Sequence, residues 1–202
     1  MILLSILAIT FTILSLFSLT HVLAVDRRSK VQNDLSYILE HSAKQVSMAI
    51  GNAKINRTVS DGDQIVRNEK IDVDDGAAIE FYVDDAVSPS DPGDGVYGTG
   101  GDHWEAYRFR PKGTADEYQL LYCEHCSGFA CASCDTGWEV LGRKVTSVTY
   151  TPYDGSVDYV DMSIEGCWDP AKITTSDECG SSDRNPRVSM KARFKMPSVS
   201  VK

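Results

Sequence analysis

The hydrophobic period of this chain changes along its length. Met1 to Val25, MILLSILAITFTILSLFSLTHVLAV, is apolar on every side of a helix. Its polar residues are only Ser, Thr and His21, and it has no charge, Gly or Pro. From Asp26 to Lys54 apolar residues recur at Val31, Leu35, Ile38, Leu39, Val46, Ala49, Ile50 and Ala53. That spacing marks one face of an amphipathic helix. The first Gly is Gly51 and the first Pro is Pro89, so nothing interrupts a helix before about Ala49, and Gly51-Asn52 reads as its stop. The pattern predicts one helix over residues 1–52, roughly 75 Å long.

Residues 53 to 76 read as a polar, acidic connection, after which the period becomes two. Ala78 to Val83 puts Ile79, Phe81 and Val83 on one face. Trp104 to Arg110 turns Tyr107 and Phe109 inward, and Tyr118 to Cys123 is a third short strand. Lys144 to Tyr150 and Val157 to Ile164 flank Pro152-Tyr153-Asp154-Gly155 and read as a hairpin. In Val188 to Met196 the residues Val188, Met190, Ala192, Phe194 and Met196 share one face, opposite Ser189, Lys191, Arg193 and Lys195. That alternation is the mark of a half-buried antiparallel strand. The expectation is an α+β fold: a stalk helix over 1–52 and a β-sheet head over 53–202, whose apolar face the amphipathic half of the helix covers.

Charge sharpens this picture. The chain has 202 residues and a formal net charge of −9. The uncharged stretch 1–25 spans roughly 37 Å as a helix, enough to cross a hydrocarbon core of about 30 Å. A cleaved secretory signal ending at Val22-Leu23-Ala24 is the alternative. The run is long for that, and no Lys or Arg precedes it. So acidic a chain is a poor partner for nucleic acid and a poor adsorber to anionic lipid.

All six Cys lie between Cys123 and Cys179. Cys123-x2-Cys126-x4-Cys131-x2-Cys134 has the look of a four-thiolate site for zinc or iron–sulfur, with His125 as an alternate ligand. A four-residue spacer leaves little room for a tetrahedron, and an oxidising compartment favours disulfides. Bridges are therefore expected and no cofactor, with a metal site on Cys123, Cys126, Cys131 and Cys134 as the alternative. Within Cys123 to Cys134 adjacent pairs are strained, so crossed pairing is expected.

Other motifs carry less. Asp72-Val73-Asp74-Asp75-Gly76 and the Asp-rich stretch 84–102 invite Ca²⁺, but the EF-hand pattern fails at Ile71 and Val73 and leaves solvated acidic loops. Asn56-Arg57-Thr58 fits the N-glycosylation acceptor pattern. No G-x-S-x-G, H-E-x-x-H, P-loop or G-x-G-x-x-G occurs. His21, His41 and His103 read as packing or interface residues, so no catalytic residue and no enzyme activity is expected.

This organisation resembles type IV pilins and the related pseudopilins of type II secretion. The likeness lies in Met1 to Asn52, above all Arg27-Arg28-Ser29-Lys30-Val31-Gln32-Asn33-Asp34-Leu35, and in the ending Val188 to Val201. It departs at Ser5, where the family usually has Glu, and at Val22, where pilins often have Pro. The basic leader ending in Gly is not in the sequence, and the resemblance then implies a mature chain beginning at Met1 or a few residues upstream. The resemblance also implies a Cys167–Cys179 bridge closing a loop near the C-terminus. Its functional implication is a structural one: a helical homopolymer, with other pilins as further partners and the inner membrane as host before assembly. Ile2, Leu3, Leu4, Ile6, Leu7, Ile9, Phe11, Ile13, Leu14, Leu16 and Phe17 would pack the filament core, and acidic heads would face outward.

Overall fold

The computed structural model describes residues 2–48, 57–58, 64–65, 71–74, 78–83, 103–111, 117–127, 131, 133–152, 159–172 and 178–195. The Gly51-Asn52 stop, Asn56, the stretch 84–102, the turn at 153–155 and Met196 lie outside them.

The fold is α+β. Helix α1, Ile2–Val46, is followed by β1 (Arg57–Thr58), β2 (Gln64–Ile65), β3 (Ile71–Asp74), β4 (Ala78–Val83), β5 (His103–Arg110), β6 (Gln119–Ser127), β7 (Ser133–Cys134), β8 (Glu139–Gly142), β9 (Val145–Pro152), β10 (Tyr159–Cys167) and β11 (Arg187–Lys195). The helix ends at Val46, three residues before the expected Ala49. Its last turn tightens, with the Met48 amide bonding the Gln45 carbonyl at 2.9 Å and the Ser47 hydroxyl donating to the Lys44 carbonyl at 2.7 Å. Lys44 sits in that last turn, where a cation complements the helix dipole.

The strands form more than the one sheet expected. One sheet runs β3-β4-β5-β6-β7 with β8 also on β6, a second runs β11-β10-β9, and β1 pairs β2. All the pairings are antiparallel. The β9–β10 hairpin is as the turn signal implied, with an irregularity at Glu165/Gly166. The connection over 53–76 is not structureless. Ile71 and Val73 in β3 lie opposite Phe81 and Ile79 of β4, and this short strand extends the larger sheet.

The amphipathic half of α1 closes the core. Val31, Leu35, Ile38, Leu39 and Val46 are buried with Ile79, Phe81, Tyr107, Leu120, Val148, Tyr150, Met162, Ile164 and Phe194. Two glycines admit the helix this closely. A Cβ at Gly142 would lie 2.6 Å from Ile38 Cδ1, and one at Gly166 would lie 3.1 Å from Leu35 Cδ2 and 2.8 Å from the Lys144 carbonyl oxygen. In β11 the alternation read from sequence holds where it is described, with Val188 and Phe194 buried and Ser189, Lys191, Arg193 and Lys195 exposed.

Candidate functional site

The feature that stands out is a surface. From Leu4 to Val25 thirteen large apolar side chains are exposed, Leu4 at 78%, Phe11 at 72% and Leu7 and Phe17 at 69%. They include Ile6, Ile9, Ile13, Leu14 and Leu16. Those of Ile2 and Leu3 lie outside the described side chains. An 18-residue window of this helix has mean hydropathy 2.1 with none of it buried. It is therefore long and apolar enough to cross a membrane. Its three threonines bond back to the helix backbone. The Thr10 hydroxyl donates to the Leu7 carbonyl at 2.9 Å, Thr12 to Ala8 at 2.8 Å and Thr20 to Phe17 at 2.9 Å. His21 stacks on Phe17, ring centroids 6.3 Å apart.

Where the helix meets the head, a polar chain crosses the interface. His41 Nδ1 lies 2.7 Å from the Tyr107 hydroxyl, Gln45 Nε2 donates to the Tyr122 hydroxyl at 3.0 Å, and Tyr122 donates to Glu105 Oε2 at 2.7 Å. Glu105 is 3% exposed, and its other oxygen is 3.4 Å from His103 Nε2. The His103 ring in turn lies against His125, centroids 4.0 Å apart and planes inclined by 37°. Burial lowers the His41 pKa from its ordinary 6.5, against the opposing pull of Glu139 and Glu105. Burial, chiefly, raises the Tyr107, Tyr122 and Tyr150 phenols well above their ordinary range, so they stay protonated donors. The sequence placed Tyr107 inward and His41 at the interface. The links among these residues were missed, although inward tyrosines advertise a polar tip that needs a partner.

The cysteines form Cys123–Cys134, Cys126–Cys131 and Cys167–Cys179. The pairing inside the cluster is nested, which corrects the crossed expectation. β6 and β7 are arms of one antiparallel hairpin, with Ser127 opposite Ser133. The same register sets Cys126 opposite Cys134, yet Cys126 bonds Cys131, nearer the tip, and Cys134 bonds Cys123, farther out. Adjacent pairing fails for a different reason: Cys123 and Cys126 share β6, and three residues of strand span about 10 Å, beyond disulfide reach. Cys123, Cys126 and Cys131 are buried with Ala106, and Trp104, Trp138 and Cys134 pack around them as a second small core. Arg108 caps it, its guanidinium 4.9 Å from the Trp138 ring centroid. The Sγ atoms of Cys123, Cys126 and Cys131 lie within 4.8 Å of one another. A metal would need them as free thiolates. In the bridged state those electron pairs are committed to sulfur–sulfur bonds.

The remaining bridge pins a loop. The Asn185 side chain accepts from the Asp169 amide and donates to the Asp169 carbonyl, both at 2.8 Å, and the Gly180 amide bonds the Asn185 carbonyl at 2.9 Å. Compared with protein-family models, with curated proteins and with solved structures, the chain matches none.

Proposed function

We propose that this chain is a structural, non-catalytic subunit of an extracellular type IV pilus-like filament. One observation carries the reading: a single unbroken helix is buried against the head over Val31–Val46 and bare over Leu4–Val25. Removing thirteen large apolar side chains from water is worth on the order of 20–40 kcal/mol, so the bare half must be covered. Lipid covers it before assembly, and the same half of other copies covers it afterwards. The head and its acidic surface then face outward.

The three bridges support export, because they need an oxidising compartment. Arg27, Arg28 and Lys30 just after the apolar run point the other way, since such charges favour the cytoplasmic side. Large domains translocate largely regardless of that bias, so the cystines carry more weight and support export. A minor pilin or secretion-system pseudopilin would use the same two-part helix.

The test is to shear the surface of cells that produce the chain, sediment the filaments and measure the subunit's intact mass before and after reduction. The expected result is this chain in the filaments with its apolar half intact, gaining six hydrogens on reduction of three bridges. A chain confined to the membrane fraction, with no filament, overturns the reading in favour of a single-pass envelope protein. Stoichiometric metal and no mass change on reduction would make that protein a metal binder through its four clustered thiolates.

A further inference from the structure

The segment between Cys179 and β11 overhangs the apolar half of the helix. Ser182, Asp183 and Arg184 line one cleft with Phe17, Thr20 and Leu23. The Arg184 carbonyl accepts from Arg27 Nη1 at 2.6 Å, which ties the loop to the helix. This loop is irregular backbone, and irregular backbone exposed to lipid does not occur within hydrocarbon. Hydrocarbon must therefore end near Phe17 to Thr20, earlier than the uncharged run to Val25 suggests. From Thr20 the helix rises about 10 Å to Arg27 and about 15 Å to Lys30, which sets Arg27 at the outer edge of the roughly 5–8 Å headgroup layer, with Lys30 reaching back toward it by its long side chain.

Cations gather at that level. Arg27 and Lys30 of the helix and Lys144 of the head lie 5.7, 5.8 and 3.5 Å from the centroid of the half-buried Trp168 ring. Arg28, next on the helix, and Arg184, whose carbonyl meets Arg27, are two further exposed cations beside this cluster, on a chain whose net charge is −9. Tryptophan with Lys and Arg at the end of an apolar helix is the side-chain chemistry that anchors at a membrane–water interface.

We infer that Arg27, Arg28, Lys30, Lys144 and Arg184 around Trp168 form a collar that binds anionic lipid headgroups. The collar seats the head on the bilayer with the Ser182–Arg184 loop in the headgroup layer. The inference rests on the membrane stage of the proposed function. It does not require the acidic head to adsorb by itself: the helix supplies the insertion and the collar sets the depth. Each cation near an anionic surface gains by its potential; Asp26, which pairs with Lys30 at 2.8 Å, and Asp183 reduce that gain and leave Arg27, Arg28, Lys144 and Arg184 to supply most of it.

The test uses the full, oxidised chain reconstituted in vesicles of phosphatidylglycerol and phosphatidylcholine, with nitroxide quenchers placed on headgroups or deep on acyl chains. Flotation with the vesicles is scored first. Headgroup nitroxides are expected to quench about the share of one indole among the three, Trp104, Trp138 and Trp168, and acyl-chain nitroxides much less. That quenching should vanish in Trp168→Phe. It should fall in Arg184→Glu, whose backbone carbonyl still meets Arg27, and in vesicles of phosphatidylcholine alone. A chain that floats but is quenched no more than Trp168→Phe, or equally on both lipids, overturns the collar and leaves the filament reading standing. A chain that does not float overturns both.

Discussion

The approach of helix to sheet at Gly142 can be tested by a paired substitution. A Cβ added there would stand 2.6 Å from Ile38 Cδ1, 3.4 Å from Ile38 Cγ1 and 3.6 Å from Val145 Cγ2. Only the first distance is an overlap, and it involves the far end of one side chain. Ile38 is fully buried, so that end has no free space to rotate into. Overpacking of this kind costs about 1–3 kcal/mol. Replacing Gly by Ala returns about 0.4–1 kcal/mol through the unfolded chain, so Gly142→Ala should lose about 1–2 kcal/mol net. Ile38→Val alone should lose about 0.5–1.5 kcal/mol. In the double variant the Ala methyl takes the space that Cδ1 vacated, and the combined loss should fall short of the sum by about 1 kcal/mol or more. The assay is urea unfolding of the oxidised full chain in detergent, followed by tryptophan emission, for all four proteins of the cycle. Losses that add to within about 0.5 kcal/mol, or a Gly142→Ala protein as stable as its parent, would refute this account of the helix–sheet contact.

Other sites offer independent checks. Replacing Cys167 and Cys179 by Ser should cost about 3 kcal/mol for a separation of 12 residues, against about 2 for the Cys126–Cys131 pair at a separation of 5, read from unfolding midpoints. Tyr122→Phe leaves Glu105 Oε2 without its donor in a buried setting and should cost about 1–3 kcal/mol, measured by the same unfolding assay. The His41 pKa is lowered by burial, so the unfolded chain binds its proton more readily than the folded one does. Stability should be full above 6.5 and decline as pH falls from there toward the folded value, with Glu139 and Glu105 opposing and Lys44 reinforcing the shift. His41→Asn should flatten that part of the stability–pH curve, and an unchanged slope would rule out His41 as its source.

Much of this fold is written in one-dimensional patterns, because long periodic segments bury one face regardless of their partners. The buried positions Val31, Leu35, Ile38 and Val46 were visible in the sequence, as were Ile79, Phe81 and Val83 in β4. What escaped was short and depended on neighbours. β8 is four residues ending in Gly142, and β7 is two residues, and each forms only because β6 is there to pair with it. β3 hid behind Asp72 and Asp74, since an alternating Ile-Asp-Val-Asp reads as acidic loop until Ile79 and Phe81 stand opposite. The helix end was overestimated because Gly51 is the first visible breaker, whereas the last turn already tightens at Ser47 and Met48. The apolar surface was legible as an uncharged run, but the cleft that Ser182, Asp183 and Arg184 form with Phe17, Thr20 and Leu23 was not. The nested cysteine pairing was not legible either, since it depends on local geometry near the tip of the β6–β7 hairpin, where Cys126 bonds Cys131 and not the Cys134 opposite it.

The nesting has a mechanical side. In the proposed filament, tension would pull each head between its helix and its contacts with other subunits. Cys123–Cys134 and Cys167–Cys179 withdraw 11 and 12 residues from the length that force can unravel, roughly 40 Å of slack apiece. Should the outer bridge of the pair be reduced, Cys126–Cys131 still locks the tip of that hairpin, so the slack is released in two stages rather than one.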